Sequence, residues 1–474
     1  MSSPSSPTTK LNINDSSEIL NQDTKPSQEY VLYKYRFVVM FIFIIAANLN
    51  GLAFTIFLPL QTTLRDAYDV SLTWVNFCTL LNSNLTYVPA NFIANYIIDT
   101  YGLRAGTITG TILTVIGFWA RIFAENDFNW ILVGQIFAGF GTPYFYSTPQ
   151  KISNVWFGAK ERTISTPTIV TSFYIAASLG TIIPQHFIDI HADPKTVRHQ
   201  LHELLYLSAI VGIVSCVFVI IFMKSKPKTP PSPAAAAPKY NYKKSLKTLL
   251  KDKNTLLLLA STSIIYASSS TYIGTIQQIV DPLDIDGNQV GYILSVALLF
   301  GMLGSGIGAT ILHKTRRFNA IIRTIGVLTL AMLIVNLFAA ETGSAVVLGV
   351  AVLVFKAIIC PIVSISLEYA VELSFPIAES TVGGFWYVFN QLFATFESIG
   401  VDEILEWENT RAGARITFFL IIGVQILAMV PLLFIKEDLK RERYEKEGGK
   451  GLLAEGNDES LKLHQNVSAE TDVK

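Results

Sequence analysis

Runs of about 20 apolar residues recur along almost the whole of this chain, and no other feature limits its fold so strongly. Inside a bilayer every backbone N–H and C=O must be satisfied within the protein, so a run of that length has to cross as a helix. Twelve such spans are read, beginning near Phe37, Thr73, Ala105, Trp130, Thr163, Leu204, Thr255, Val290, Ala320, Ser344, Thr381 and Ile416. Only 15% of the 474 residues are charged, where a soluble protein carries about 25%. The expected fold class is an all-α membrane protein with twelve transmembrane helices.

Composition also removes several classes of function. The 36 basic and 36 acidic residues cancel, so no bulk charge points to nucleic acid as a partner. Cys78, Cys216 and Cys360 fall inside apolar runs without metal-ligand spacing or a disulfide framework, and no metal or cofactor is expected. No H-x-x-x-H, D-x-x-x-D or nucleophile-and-base pattern lies in the spans, which argues against a membrane-embedded enzyme. The first 30 residues are polar and rich in Ser, Thr, Asn and Asp; they read as a disordered tail and not as a cleavable signal peptide.

The loops divide by charge. Arg104, Lys151, Lys160, Arg162, Lys314, Arg316 and Arg317 share a side with the N-terminal tail, whereas Asp66, Asp69, Glu125, Asp127, Asp281, Asp284, Asp286, Asp402, Glu403 and Glu406 lie on the other. Positive loops stay inside, so both termini are expected in the cytoplasm, whether the membrane is the plasma membrane or that of an organelle.

One phrase, F-x-x-x-E-x-T, occurs twice: Phe157-Gly-Ala-Lys-Glu161-Arg-Thr163 and Phe375-Pro-Ile-Ala-Glu379-Ser-Thr381. The copies occupy the gaps between spans four and five and between spans ten and eleven. Matching positions imply two six-helix bundles on one plan, an organisation common in secondary transporters. The expected divisions are a disordered tail 1–35, a bundle 36–223, a linker 224–254, a second bundle 255–435 and a disordered tail 436–474. Within the linker, Thr229 to Pro238 is a semi-rigid Pro/Ala tract. Leu246, Leu249 and Leu250 then recur at helical spacing among lysines, as in a basic helix on the inner membrane surface, acting as a solvated tether or as a lipid site.

Spans two and three are joined by Asp99-Thr-Tyr-Gly102-Leu-Arg104. Gly102 permits the tight turn, and Arg104 can snorkel to the headgroups. The phrase resembles the core of the D-x-x-G-x-[RK] element of the major facilitator superfamily, with Asn95 where a leading Gly is usual. The resemblance implies that Asp99 latches the inner gate through a neighbouring cation, for which Lys151 and Arg162 are nearest; a plain turn cap is the other reading. Between spans eight and nine the counterpart carries His313 where an acid is usual.

A narrower resemblance follows span four. Pro149-Gln-Lys-Ile152-Ser-Asn-Val155-Trp156-Phe157-Gly158-Ala-Lys160-Glu161 is similar to the P-x-R-I-x-x-V-W-F-G-x-K-E signature of the feline leukaemia virus subgroup C receptor-related solute carriers. Tyr87-Val-Pro89, Tyr242-Lys-Lys-Ser-Leu and Tyr369-Ala-Val-Glu372-Leu-Ser-Phe-Pro376 agree with it. The resemblance implies movement of choline or ethanolamine, with haem and vitamin B6 as other cargoes ascribed to the family. It also implies a pocket lined by Trp in span one, Gln in span five, Tyr in span seven and Gln in span eleven. Here those positions hold Phe54 (after a matching Asn50), Tyr174, Ser270 and Gln391, and Gln278 matches later in span seven. An aromatic face contributes about 0.5–2 kcal/mol to holding a quaternary ammonium, and Phe54 and Tyr174 keep two such faces.

Glu161 and Glu379 open spans five and eleven, where the helix dipole favours negative charge by about 0.3–1 kcal/mol. Together with Lys160, Arg162 and Glu372 they are assigned to gating. Few acids lie at mid-depth, so facilitated diffusion is expected over proton symport; Glu397 is either a cation-attracting group in the outer vestibule or a structural partner. The reading is a monomeric carrier of a small organic solute working by alternating access, with a non-transporting receptor of the same fold as the alternative.

Overall fold

A computed structural model describes residues 30–447 apart from 72–73, 76, 79–81, 190–191, 281–282, 284–286 and 409. The terminal segments 1–29 and 448–474, and the loop acids Asp281, Asp284 and Asp286, lie outside the described residues.

Nine helices among the described residues are long and apolar enough to cross a membrane. One of them, running 42 residues from Asn84 to Glu125, is two crossings. It folds back at Gly102, whose φ of 89° only glycine adopts without strain. Two further helices, Asn129–Tyr146 and Glu379–Trp407, complete the series. The first span is Tyr35–Thr55, and the second and third are the two arms of Asn82–Arg121. Asn129–Tyr146 is the fourth, Ala159–Phe187 the fifth and Pro194–Phe222 the sixth. In the second half come Lys253–Val280, Gly287–Thr315 and Phe318–Glu341, then a tenth span made of Ala345–Ile359 and Pro361–Ser374. Glu379–Trp407 and Arg411–Met429 close the chain's crossings.

The sixth span begins at Pro194 and not near Leu204. Asp193 caps it, accepting from the N–H groups of Lys195 and Thr196 at 3.2 and 3.3 Å, with Pro194 in the first turn where its missing donor costs nothing. The two halves meet where span five lies along span eight and span two along span eleven. Both ends of the described chain lie on one face, the terminus face.

Two expectations about that face need correction. The segment after Lys436 is not disordered throughout: Lys440–Lys446 is a helix, and Arg441 and Tyr444 are buried against the body. The linker helix Tyr242–Leu249 does not simply lie on the bilayer. Leu249 and Ser245 are fully buried, Leu246 packs on the core, and only Leu250 remains exposed. Its apolar stripe is taken up by the seam between the halves, which is nearer than lipid.

Candidate gate and solute site

Asp99 ends the second span with its side chain only 3% exposed. Lys151, from the short helix Pro149–Trp156, pairs with it at 2.7 Å and also donates to the Ile98 carbonyl at 2.7 Å. The other carboxylate oxygen accepts from Thr381 Oγ1 at 2.8 Å, and Ser380 Oγ donates to the first. Both hydroxyls belong to the first turn of span eleven, so the bonds cross from one half to the other. They also place a negative charge at a helix N-terminus, where the dipole supports it. Of the two cations expected for Asp99, Lys151 is in contact. Arg162 is engaged elsewhere. The guanidinium of Arg104 does not reach for headgroups; it donates to the Ile220 carbonyl at 3.0 Å, while its backbone N–H meets Ser225 Oγ at 3.2 Å.

The second half repeats the arrangement with altered chemistry. Thr163, the first-half equivalent of Thr381, hydrogen-bonds His313 Nδ1 at 2.8 Å. His313 occupies the place of Asp99, and three residues on, Arg316 takes a φ of 54° where the first half has Gly102. Each F-x-x-x-E-x-T phrase therefore sends its threonine across the seam to the turn of the other half. The missing leading Gly has a counterpart too. A Cβ on Gly384 in span eleven would lie 2.2 Å from Asn95 Nδ2 and 2.4 Å from Asn91 Oδ1. The space that glycine usually leaves in span two is here left by span eleven.

The two glutamates of the phrase are bound differently: Glu161 stays within the first half, whereas Glu379 reaches the first half and the linker. Glu161 pairs with Arg36 at 2.8 Å. Glu379 accepts from Asn154 Nδ2 at 2.6 Å and pairs with Lys239 of the linker at 2.9 Å. Burial pushes the Lys239 ammonium below its ordinary range, and Glu379 offsets this only in part. Lys160 stays exposed.

The C-terminal helix closes the face. Arg441 forks between Glu368 and Glu372, with its Nε 2.9 Å from Glu372, whose other oxygen accepts from the Glu442 N–H at 3.0 Å. Burial alone would lower the guanidinium's affinity for its proton; Glu368, Glu372 and Glu445 more than reverse that. Glu445 takes Arg162 of the first half, whose guanidinium also donates to Ser232 of the linker, and Tyr444 packs on Phe375 with ring centroids 5.0 Å apart. None of Arg36, Lys239, Glu368, Ser380 or Arg441 was singled out from sequence. The signal for Arg441 was present, since Arg441, Tyr444 and Glu445 share one helical face.

Above this seam the halves meet through aromatic rings. Tyr146 lies 4.9 Å from Tyr387 and stacks on Phe173 at 5.1 Å; Tyr87 is 6.2 Å from Tyr387. Trp386 is 4.9 Å from Tyr387 and 5.7 Å from Tyr266, whose hydroxyl is 3.5 Å from that of Tyr174. Tyr387 is two turns along span eleven from Glu379, about 12 Å. Toward the far face Thr181 and Ser295 meet at 3.3 Å.

The expected pocket residues are not all brought together. Tyr174 joins the ring group. Gln391 is half-buried one turn beyond Tyr387. Ser270 donates to the Tyr266 carbonyl of its own helix at 3.0 Å. Phe54 packs with Phe118 and Ala138 inside the first half. Asn50 is fully buried there, donating to Thr114 Oγ1 and to the Ala138 carbonyl at 2.9 and 3.0 Å. The side chain of Gln278 lies outside the described residues. Tyr87, Tyr146, Tyr266, Trp386 and Tyr387 complete the group; the run Phe385-Trp-Tyr387 was the available signal.

The Major Facilitator Superfamily model matches residues 43–396. The choline/ethanolamine transporter FLVCR1 of Felis catus is 25% identical over 430 residues, covering 88% of this chain and 75% of that protein. The choline/ethanolamine transporter FLVCR2 of Homo sapiens is 24% identical over 441 residues, covering 90% and 82%. Among solved structures, FucP in its outward conformation matches 85% of this chain and 100% of its own, with a TM-score of 0.66 at 9% identity. The human organic anion transporter MFSD10 matches 84% and 99%, with a TM-score of 0.63 at 15% identity. These two likenesses concern the fold alone.

Proposed function

The chain belongs to the Major Facilitator Superfamily, and we propose that it moves a choline- or ethanolamine-like amine by alternating access, without ion coupling. One observation carries the reading: the aromatic group Tyr87, Tyr146, Tyr174, Tyr266, Trp386 and Tyr387 is shared by both halves, directly above a polar seam. A quaternary or primary ammonium is held by ring faces at about 0.5–2 kcal/mol each, and a binding group split between two halves changes when the halves move. Tyr hydroxyls and Gln391 supply acceptors and donors for the hydroxyl end of such a solute. Membrane insertion with both termini in the cytoplasm, as the loop charges suggest, makes the terminus face the inner gate.

The test is flux of radiolabelled choline and ethanolamine into proteoliposomes holding the purified chain, with pyridoxine and haem as competitors. Saturable choline or ethanolamine uptake that is unchanged by an imposed pH gradient is expected. Uptake absent for both amines, with the protein correctly inserted, overturns the proposal.

A further inference from the structure

Lys356, in the middle part of span ten, is a charged group that neither the gate nor the ring group uses. It is 4% exposed. No described residue gives its ammonium a hydrogen bond or an ion pair, and only the Cys360 thiol, one helical turn on, acts on its charge. Glu397 of span eleven does not reach it. The ammonium carries three N–H donors and no acceptor. A buried charge without a counter-ion is costly, and inside a bundle such a residue faces a solute path by default.

Its place fits that role. Residues four apart share a helix face, so Lys356 lies on the face of span ten that carries Cys360. Cys360 meets the Tyr174 hydroxyl of span five, and its Sγ would be 2.6 Å from a Cβ on Gly301 of span eight. Spans five and eight are where the halves meet, so this face looks onto the junction. Counted by helical rise from the terminus face, Tyr174 and Tyr266 lie at about 20–22 Å, Lys356 at about 27 Å and the Thr181–Ser295 contact at about 30–33 Å. Lys356 therefore stands between the ring group and the contact toward the far face.

We propose that the preferred solute is a small zwitterion, with its ammonium in the ring group and its carboxylate or phosphate on Lys356. The inference rests on the reading of the ring group as an ammonium site and adds the acid end. A lysine ammonium is a compact point charge on a flexible stem, so it pairs with either acid. The difference in depth between Tyr174 and Lys356, about 5 Å by the helical rise, is within reach of a solute of this size. A bare amine would bring a like charge toward Lys356 and leave it unpaired. A zwitterion gives both the rings and the lysine a partner.

Thermal-shift titrations of the purified full-length chain in nanodiscs compare choline, glycine betaine and phosphocholine. At least one of the two zwitterions is expected to bind about tenfold more tightly than choline, as one bond to a charged group implies. The tighter of the two names the acid as carboxylate or phosphate. Lys356→Met is expected to abolish the preference and to keep or strengthen choline binding, since a like charge has gone. A merely structural lysine would change the unliganded Tm and leave the order of the ligands as it was. Should Lys356→Met fail to fold, the wild-type order decides alone. Choline binding that equals or exceeds both zwitterions overturns the proposal, as does a preference that persists in Lys356→Met. Absence of binding by all three overturns it together with the ring group as an ammonium site. Choline uptake without a zwitterion preference sinks this inference and spares the transport reading; a preference without choline uptake sinks only transport of the bare amine.

Discussion

Asp99→Asn keeps the shape of the latch and removes its charge. Two of the contacts at Asp99 cross the seam, from Ser380 and Thr381; the pair with Lys151 stays inside the first half. The Lys151 term is therefore present whether the terminus face is open or closed, and it cancels in that equilibrium. A hydrogen bond to a charged acceptor contributes about 1.5–3 kcal/mol and a neutral one about 0.5–1.5. Losing the charge across two bonds thus removes about 2–3 kcal/mol from the closed state, a shift of about 30- to 150-fold toward open. Thr381→Val, which deletes one crossing bond to the charged carboxylate and leaves the Lys151 pair intact, should remove about 1.5–3 kcal/mol, a comparable change. The assay is the distance distribution between spin labels at Lys160→Cys and Lys314→Cys, two exposed positions on opposite halves, with the three native cysteines replaced. Asp99→Asn should add or enlarge a long-distance population, and Thr381→Val a comparable one. A wild-type distribution in Asp99→Asn would refute the assignment of Asp99 to the gate and leave it as a turn cap.

Gly384→Val should prevent closure, since even its Cβ would sit 2.2 Å from Asn95 Nδ2; solute uptake is expected to fall at least about tenfold with the chain still folded, as the clash exists only in the closed state. Truncation after Glu437 removes Arg441 and Glu445 and strands buried Glu368 and Glu372, at a cost of about 3–5 kcal/mol. The melting temperature should drop, and Glu368→Gln with Glu372→Gln should recover part of it; an unchanged melt would place the helix Lys440–Lys446 outside the stabilised body. Tyr387→Ala should raise KM for choline about 2- to 30-fold by removing one ring face, while Tyr387→Phe should stay within about twofold. Equal effects of the two would assign Tyr387 to hydrogen bonding instead.

Much of this architecture can be read from residue order because a membrane span is a matter of length and apolarity alone. The exceptions have local causes. Pro194 to Leu204 is polar enough to hide the start of span six, and only the cap at Asp193 marks it. Glu379–Trp407 is a crossing that carries Glu379, Asn390 and Glu397 on sides buried against protein, while Phe393, Phe396 and Ile399 face outward. The pairing of Asp99 with Lys151 was legible from a motif and from nearness in the chain. Ser380 and Thr381 were not, since docking one half on the other brings them to Asp99. Asn50 and Phe54 fail to join the ring group for a related reason: helix rotation decides whether a mid-span residue faces a cavity or a neighbouring helix, and spans buried on several sides give little periodicity from which to read it.

The seam is strong in some places and poor in others, and the proposed alternating access needs both. Charged bonds gather on Asp99, Glu379 and Arg441. Between them, Asn91 Nδ2, Asn95 Oδ1 and both side-chain ends of Gln150 are buried without partners among the described residues. Each such atom costs about 1–3 kcal/mol while it stays dry, so the amides set back much of what the charged bonds contribute. An all-apolar seam would lack that opposing term, and one with every amide satisfied would hold shut. A gap of a few kcal/mol is also what a small ligand can bridge, because it shifts an equilibrium only by its differential affinity for the two states. The ring group above the seam contains residues of both halves, so a solute bound there contacts the moving surface directly. Substitutions that give the seam amides partners should therefore slow transport even though they stabilise the protein.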